Sequence, residues 1–306
     1  MDLRVNFAGL ELEHPLMNAA GTCKTTEHVR TLAESAVSAV MVGSMTYENR
    51  GGNRGDVFWP DEIAPLNALG LNNPGSAIYR NELPEMARIA HDHGKPLIVS
   101  TAAFSPEEFS ILVEIALEGG ADAVEVNVAC PNVWDGGKQK RIACFDLRLM
   151  HEILFERIAV RVGRNHKLGV KPSPFSDPIY LAEFGSMLVG GVVKFLTATN
   201  TFPNAFALDE NGKPRITPGG GLAGLSGPAL KPIALGQIVQ YKQVLPADIQ
   251  IAGAGGIQSG KDMLDYKRVG AAVMQVNTAY SRNEDPKVFG RILSEYIDLC
   301  EAHEIA

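Results

Sequence analysis

Eight short apolar runs alternate with amphipathic stretches along the chain, and this alternation restricts the fold more than any other feature. The runs are PLMNAAG, AVMVGS, PLIVST, AVEVNV, LGVKPS, VVKFLTATN, IQIAGAGG and AVMQVNT. The stretches between them, including TTEHVRTLAESA, SPEEFSILVEIALEGG, SDPIYLAEFGSMLVGG and GKDMLDYKRVG, have the apolar spacing of helices that pack on one face. Eight strands that alternate with helices predict an α/β fold, a (β/α)8 TIM barrel, rather than an open sheet.

The segment before the first run, MDLRVNFAGLELEHP, alternates apolar and polar side chains around an Ala-Gly turn. This period of two predicts an N-terminal β-hairpin, whereas a signal peptide would need a basic start and a continuous apolar core. No low-complexity tract or linker rich in Pro, Gly or Ser divides the 306 residues. We therefore expect residues 1–306 to form a single barrel domain without an export signal.

Charge and cysteine content narrow the classes of partner. The formal net charge is -7 without a basic block, which argues against a nucleic-acid surface and favours small-molecule partners. No apolar run approaches the roughly 20 residues that span a bilayer. The four cysteines, Cys23, Cys130, Cys144 and Cys300, form no CxxC pair, so neither a zinc site nor a disulfide framework is predicted, and a reducing cytoplasm suits them.

Three connections are longer than the fold requires, namely residues 44–95, 130–146 and 202–228. All three follow predicted strand ends. In a TIM barrel the loops after the carboxyl ends of the strands build the active site. The extra chain length therefore falls at the face where a functional site is expected.

Glycines at the ends of the last two strands predict a phosphate site. Gly253, Gly255 and Gly256 follow the seventh strand, and Asn277 and Thr278 follow the eighth. Barrels commonly bind a phosphate between these two loops, where small residues leave backbone N–H groups accessible. The alternative is that the glycines only make tight turns. A Rossmann unit is disfavoured because GAGGIQSG lacks the required glycine spacing.

Lys171 and four asparagines occupy the other strand ends and long loops. A lysine at the buried end of a barrel strand is costly unless it faces an anion or a ring carrying negative charge, although it can also extend to solvent. Each carboxamide offers both a donor and an acceptor, so several on one face suit a flat ligand such as a pyrimidine. The asparagines are Asn67, Asn127, Asn132 and Asn200.

These segments together resemble the dihydroorotate dehydrogenases and, more loosely, the catalytic domain of dihydropyrimidine dehydrogenase. NVACPN is similar to the family segment N-x-S-C-P-N, and NALGLNNPG to N-x-x-G-x-x-N-x-G. GVKPSP matches its V-K-x-x-P strand end, while GLSGPALKPIAL and GAGGI match its flavin-phosphate region. The resemblance covers nearly the whole chain in order, and the motifs are specific only in combination.

The resemblance implies an FMN-dependent oxidation of dihydroorotate to orotate in pyrimidine biosynthesis. The implied cofactor-binding residues are Ala20, Gly21, Ser44, Asn127, Lys171, Gly227, Gly255, Gly256, Asn277 and Thr278. The implied substrate-binding residues are Asn67, Leu69, Gly70, Leu71, Asn127, Asn132, Asn200 and Thr201. Lys171 would lie near the pyrimidine side of the flavin, where a cation stabilises the negative charge of the reduced ring.

Cys130 is implied to be the general base. In the class 1 enzymes the cysteine at this position takes a proton from C5 of dihydroorotate while hydride leaves C6 for flavin N5, whereas class 2 enzymes use serine. A thiol has an ordinary pKa of roughly 8.5, which neighbours can move toward neutrality. Free cysteines are more often buried packing residues, and we expect this of Cys23, Cys144 and Cys300.

One position departs from the class 1 pattern. Class 1 enzymes carry a lysine at the end of strand two, where this chain has Gly43 in MVGSMT. Class 2 enzymes have glycine there and a lysine at the end of strand one, where this chain has Lys24 in NAAGTCKTTE. Our hypothesis is that Lys24 is a catalytic-site residue that replaces the missing lysine. The alternative is an exposed lysine at a helix start.

The electron acceptor and oligomeric state stay open at this level. Quinone is disfavoured because the chain begins at the hairpin without the helical extension of class 2. The resemblance implies a homodimer that reduces fumarate, or a complex with an iron-sulfur flavoprotein subunit that reduces NAD. The missing lysine at Gly43 leaves open a flavin enzyme for another dihydropyrimidine or cyclic amide. A third reading is a flavin-binding subunit without turnover, and the presence of Cys130 and Lys171 weighs against it.

Overall fold

The computed structural model describes residues 2–130, 132–135 and 138–302. In chain order the strands are β1 (Val5–Phe7), β2 (Leu10–Leu12), β3 (Leu16–Asn18), β4 (Val40–Met45), β5 (Phe58–Trp59), β6 (Leu66–Asn67), β7 (Leu97–Thr101), β8 (Ala123–Asn127), β9 (Trp134–Asp135), β10 (Lys138–Gln139), β11 (Leu168–Lys171), β12 (Val193–Ala198), β13 (Phe202–Ala205), β14 (Ala223–Leu225), β15 (Gln250–Ala254) and β16 (Val273–Val276).

The α-helices lie mainly between the barrel strands. They are α1 (Thr26–Ala33), α2 (Ser76–Asp92), α3 (Pro106–Glu118), α4 (Leu147–His151), α5 (Ala159–Val162), α6 (Pro178–Leu188), α7 (Lys231–Val244), α8 (Gly260–Arg268), α9 (Thr278–Ser281) and α10 (Lys287–Ala302). A π-helical segment, Glu152–Ile158, joins α4 to α5, and 3-10 turns cover Ala143–Phe145, Pro218–Gly221 and Pro228–Leu230. Several helices begin after a residue whose side chain caps the helix N-terminus. Ser105 caps α3, and Asp177 caps α6.

The eight predicted strands form one parallel sheet in the order β3-β16-β15-β12-β11-β8-β7-β4. This is the strand order of a (β/α)8 barrel, and seven of its eight neighbour pairs are parallel ladders, so the predicted fold is confirmed. The predicted opening hairpin is also present, because β1 and β2 pair through a turn in which Ala8 and Gly9 have positive φ.

Asn18 closes the barrel between its first and second strands, β3 and β4. Its side-chain Nδ2 donates to Met41 O at 2.8 Å, and its Oδ1 accepts from Met41 N at 2.9 Å. A carboxamide offers the same donor and acceptor as a peptide group, so it can substitute for a backbone ladder pair. Asn18 is fully buried, and its two bonds satisfy a strand-edge N–H and C=O that water does not reach.

An apolar layer fills the amino-terminal half of the barrel interior. Phe7 from the hairpin packs on Phe195 of β12 with ring centroids 5.0 Å apart, and both rings are fully buried. Gly169 makes room for this ring, since a Cβ there would lie 2.0 Å from Phe195 Cε2. The hairpin therefore closes the amino-terminal end of the barrel interior. Polar side chains inside the barrel can face only its carboxyl end.

The long connections build a second sheet above the carboxyl ends of the barrel strands. Its strand order is β13-β14-β6-β5. Strands β5 and β6 belong to the first predicted connection, and β13 and β14 belong to the third, so the sheet joins these two connections. Trp134 in the second connection packs with the apolar residues of this sheet and lies against Gly219, where a Cβ would be 2.0 Å from the indole. Pro131 and residues 136–137 of that connection lie outside the described residues.

We expect Asn18→Ala to destabilise the barrel. The substitution leaves the buried N–H and C=O of Met41 without partners, and each unpaired group costs about 1–3 kcal/mol. Urea unfolding should therefore show a loss of roughly 2–6 kcal/mol in the free energy of unfolding. The control is Asn81→Ala on the exposed face of α2, which should change stability by less than about 0.5 kcal/mol. Equal, small losses for both variants would contradict the closure by Asn18.

Candidate active site

A cavity of about 460 Å³ opens at the carboxyl end of the barrel, between the strand ends and the second sheet. This volume is within the range of roughly 300–1,000 Å³ that is typical of ligand pockets. Its wall includes every residue that the family resemblance implied for catalysis, substrate binding and cofactor binding, whereas Gly253 of the predicted phosphate turn lies against the Tyr266 ring instead. The structure therefore brings these side chains together, and their individual functions stay predictions.

The four asparagines face the cavity as two hydrogen-bonded pairs. Asn132 Nδ2 donates to Asn67 O at 2.8 Å, and Asn200 Nδ2 donates to Asn127 Oδ1 at 3.0 Å. Asn127 in turn donates to Ser44 Oγ at 3.2 Å. The protein thus orients the carboxamides in advance, and their remaining donors and acceptors are available to a flat polar ring.

The second sheet positions Asn67 and Thr201 relative to each other. Asn67 pairs with Gly224 of β14 in the antiparallel register, and its Nδ2 donates to Gly224 O at 3.2 Å. A Cβ at Gly224 would lie 2.3 Å from Thr201 Oγ1, so β14 passes directly under this hydroxyl. The long connections thereby form the side of the cavity that faces away from the barrel.

Cys130 lies in the loop after β8, where it lines both the main cavity and a smaller pocket of about 40 Å³. The backbone N–H of Asn132 donates to the Cys130 sulfur, and the Arg50 guanidinium is the neighbouring cation. Burial outweighs both effects and raises the pKa of Cys130 to about 11. Neighbours can move a thiol pKa toward neutrality, but here desolvation disfavours the thiolate and moves the pKa of Cys130 the other way.

Lys171 ends β11 and lies beside Asn127 in the sheet register. Its Nζ donates to Gln275 Oε1 at 3.3 Å and lies 3.9 Å from Glu125 Oε1. The lysine is only 6% exposed, so it does not extend to bulk solvent as the alternative reading required. A buried ammonium in a cavity wall is suited to a ligand that carries negative charge.

The backbone at Gly43 has no space for the side chain that class 1 enzymes carry there. Gly43 has a φ of +116°, and a Cβ would lie 2.3 Å from Ser100 O and 2.9 Å from Met45 N. Its N–H donates to Cys23 O, and its carbonyl accepts from Gly21 N. The segment that carries Lys24 is therefore hydrogen-bonded directly to the position of the missing lysine.

Lys24 lines the cavity, and Asn72 fixes its position. Lys24 Nζ donates to Asn72 Oδ1 at 2.7 Å, and burial lowers the pKa of Lys24. The side chain is thus partly desolvated at the cavity wall, which disagrees with the alternative of an exposed lysine at a helix start. Sequence reasoning missed Asn72 because an asparagine beside Asn73 in a loop reads as ordinary turn chemistry.

Three glycines meet at the end of the cavity where a phosphate was predicted. Gly227, Gly255 and Gly256 all have φ values between +68° and +133°. A Cβ at Gly256 would lie 2.7 Å from Gly227 O, and one at Gly255 would lie 3.1 Å from the Leu230 side chain. These contacts require glycine at the two positions, so backbone without side chains lines this part of the cavity. The Asn277 side chain already makes a hydrogen bond within the protein, because its Nδ2 donates to Ala20 O.

Two polar residues were not predicted, namely Gln275 in the cavity wall and the buried Glu125 beneath it. Each lies two residues before a predicted asparagine in an otherwise apolar strand run, AVEVNV and AVMQVN, and therefore on the same face of the strand. Period-two spacing from Asn127 and Asn277 would have placed both inside the barrel. In the described part of the chain, no three His, Cys, Asp or Glu side chains form a metal-ligand cluster, and no helix is long and apolar enough to cross a membrane.

Comparison with known proteins gives one consistent family. The sequence model of the family described as dihydroorotate dehydrogenase matches residues 2–299. Dihydroorotate dehydrogenase A (fumarate) of Lactococcus lactis subsp. lactis is 29% identical over 302 residues, which cover 98% of this chain and 94% of that protein. The protein of the same name from Lactococcus lactis subsp. cremoris is 29% identical over 296 residues, with 96% and 92% covered.

The fold has a counterpart among solved structures. The crystal structure of DHODH from Eimeria tenella in complex with ferulenol superimposes with a TM-score of 0.82, and the match covers 99% of this chain and 86% of that chain. The two sequences are 19% identical, so this similarity concerns the barrel fold alone.

The raised pKa of Cys130 predicts a steep pH dependence of its alkylation. Since the thiolate is the reactive form, its fraction should rise about tenfold per pH unit from pH 7 toward the pKa of about 11. Iodoacetamide labelling, followed by mass spectrometry of the Cys130 peptide, measures this. Cys130→Ala is the control, because Cys23, Cys144 and Cys300 are buried and should stay unlabelled. A rate that levels off near pH 7 would show that the pKa is not raised.

Proposed function

The chain belongs to the dihydroorotate dehydrogenase family, and from this premise we propose that it oxidises dihydroorotate to orotate in pyrimidine biosynthesis with FMN as its cofactor. The observation that carries the proposal is the joint position of Cys130, Lys171 and the four asparagines around one cavity. The same cavity contains a donor set for a flat polar ring, a buried cation and a thiol.

The residues present fit FMN in two respects. Gly227, Gly255 and Gly256 line one end of the cavity with backbone in the left-handed region and no side chains, a kind of backbone that can present N–H groups to a phosphate. Lys171 supplies a buried positive charge to the cavity, which suits a ring that becomes anionic on reduction. Gly227, Gly255, Gly256 and Thr278 would hold the phosphate, and Ser44, Asn127 and Lys171 would contact the ring.

The protein's own groups divide the remaining chemistry between them. Bound FMN supplies a two-electron acceptor for the hydride from C6 of dihydroorotate. The Cys130 thiolate accepts the proton from C5, so that a C5=C6 double bond forms and orotate results. The paired carboxamides Asn67–Asn132 and Asn127–Asn200 hold the amide groups of the substrate ring, and Thr201 lies beside them. A positive charge at Lys171 stabilises the negative charge that develops in the cavity.

Lys24 is proposed to supply the charge that class 1 enzymes take from the position of Gly43. Gly43 cannot carry a side chain in this backbone, and Lys24 follows Cys23, which is hydrogen-bonded to it. Adjacent strands of a sheet lie about 4.8 Å apart, so a lysine from β3 can reach space served by β4. In this proposal the Lys24 ammonium binds the substrate carboxylate.

Fumarate is the electron acceptor that we propose. The two Lactococcus relatives carry fumarate in their names, and they align with this chain over almost its full length. We also propose that residues 1–306 act as one domain and that the protein is a cytoplasmic homodimer. NAD reduction through an iron-sulfur flavoprotein subunit is the alternative.

The proposed reaction predicts that anaerobic dihydroorotate bleaches the yellow protein and that fumarate restores its colour. Cys130→Ala should keep its FMN spectrum and slow bleaching by roughly 100- to 10,000-fold, the contribution typical of a general base. Stopped-flow absorbance measures both steps. Bleaching by dihydrouracil but not by dihydroorotate would instead support the reading with another dihydropyrimidine, and no bleaching by either would support a subunit without turnover. Recovery with NAD and a partner subunit alone would exclude fumarate.

Lys24→Ala should lower the efficiency of flavin reduction by dihydroorotate by about 10- to 100-fold, because a hydrogen bond to a charged group contributes about 1.5–3 kcal/mol. The loss should be large for dihydroorotate and small for dihydrouracil, which has no carboxylate. The measurement is the rate of anaerobic flavin reduction against substrate concentration. Lys242→Ala, at the exposed end of α7, is the control. Unchanged rate and affinity in Lys24→Ala would refute the replacement hypothesis.

A further inference from the structure

Glu125 is a carboxylate with no exposed surface, in the middle of β8 and inside the barrel. Its Oε2 accepts hydrogen bonds from Thr197 Oγ1 at 2.7 Å and from Gln275 Nε2 at 3.0 Å. Its Oε1 has no hydrogen-bond partner in the part of the chain that the structure describes. A buried carboxylate of this kind is costly unless a positive charge lies close by.

The nearby positive charge is Lys171, whose Nζ lies 3.9 Å from the unpartnered Oε1. The two groups are 6% and 0% exposed, so water screens their attraction little. The distance is longer than a hydrogen bond, and the attraction is therefore one between charges. Glu125 thus draws the ammonium toward the floor of the cavity.

Gln275 links the same two residues by a second route. Its Nε2 faces Glu125 Oε2 and also lies 3.3 Å from Thr197 Oγ1. Because the Thr197 hydroxyl donates to Glu125, its oxygen is left to accept from Gln275. The amide orientation is therefore fixed by Glu125, and the Gln275 oxygen must point to Lys171 Nζ, at 3.3 Å.

We propose that Glu125 is a positioning residue, which holds the Lys171 ammonium at the cavity floor directly by charge and indirectly through the orientation of Gln275. It touches no space open to substrate or cofactor and acts on FMN only through Lys171. The part of the inference that concerns FMN rests on the proposed function. The charge pair itself stands on the geometry of the described residues.

A double-mutant cycle tests the proposal with Glu125→Gln, Lys171→Met and the double variant in the full-length chain. The first readout is the FMN dissociation constant, measured by fluorescence titration of protein freed of flavin. Glu125→Gln keeps the side-chain shape but removes the charge and adds an amide donor, so Lys171 loses its fixed position. We expect FMN binding to weaken at least tenfold in the wild-type background and less than twofold in the Lys171→Met background.

The second readout is the melting temperature without flavin, which needs neither FMN binding nor activity. Each single variant leaves one buried charge unpaired and should therefore melt at a lower temperature than wild type. The double variant removes both charges, so its decrease in melting temperature should be smaller than the two single decreases added together. Losses that simply add, together with equal weakening of FMN binding in both backgrounds, would make Glu125 a structural residue only. An unchanged FMN dissociation constant in Glu125→Gln would also overturn the proposal.

Two further variants separate the explanations. Glu125→Asp keeps the charge and should recover part of the FMN affinity, which also provides a test if Glu125→Gln does not fold. Glu114→Gln removes a carboxylate that pairs with Arg161 on the outside of the barrel, and it should leave FMN binding unchanged. If wild-type protein binds no FMN, the proposed function fails together with the FMN part of the inference, while the melting temperatures still test the pair.

Discussion

The ammonium of Lys171 lies inside a barrel whose lower half is hydrophobic, and this buried charge constrains what surrounds it. Phe7 and Phe195 close the floor, so water cannot solvate the lysine from below. The positive charge of Lys171 must therefore be compensated by the next layer of inward-facing side chains, in which Glu125 and Gln275 meet. The barrel interior therefore changes from apolar to polar within the two layers of side chains below the cavity. The N–H groups of Lys171 that do not donate to Gln275 can bind a ligand on the side of the carboxyl end.

The backbone at the strand ends determines which residues can supply charge to the cavity. At Gly43 the chain passes too close to Ser100 to admit a side chain, so a cation cannot originate there. The neighbouring segment is joined to Gly43 by two backbone hydrogen bonds and carries Lys24. Because strands of a sheet are closely spaced, a charge can move to an adjacent strand while its position in the cavity changes little. Under the proposed function, the protein would combine the cysteine of one class with the lysine position of the other.

The sequence predicted the fold and the composition of the cavity wall, and it did not predict most of the contacts between wall residues. Alternation of apolar and amphipathic segments is repeated eight times, and in a barrel the strand ends converge on one face, which is why Lys171 and Asn200 could be assigned to one site. Contacts such as Lys24–Asn72 join loops whose paths local patterns do not determine. The second sheet was also missed, because its two- to four-residue strands carry too little periodicity.

The raised pKa of Cys130 changes how a thiol base can operate in this cavity. Because burial raises its pKa, the Cys130 thiol is ionised to only a small extent near pH 7. The thiolate that does form is a stronger base than one with a neutral pKa, and this offsets part of the deficit. Arg50 is the neighbouring cation that opposes the effect of burial, and it is held in place by Gly70 O and by the ring of Phe104. Bound substrate excludes water and raises the cost of the thiolate further, so the attraction between Arg50 and the sulfur must strengthen in the complex if Cys130 is to act near neutral pH.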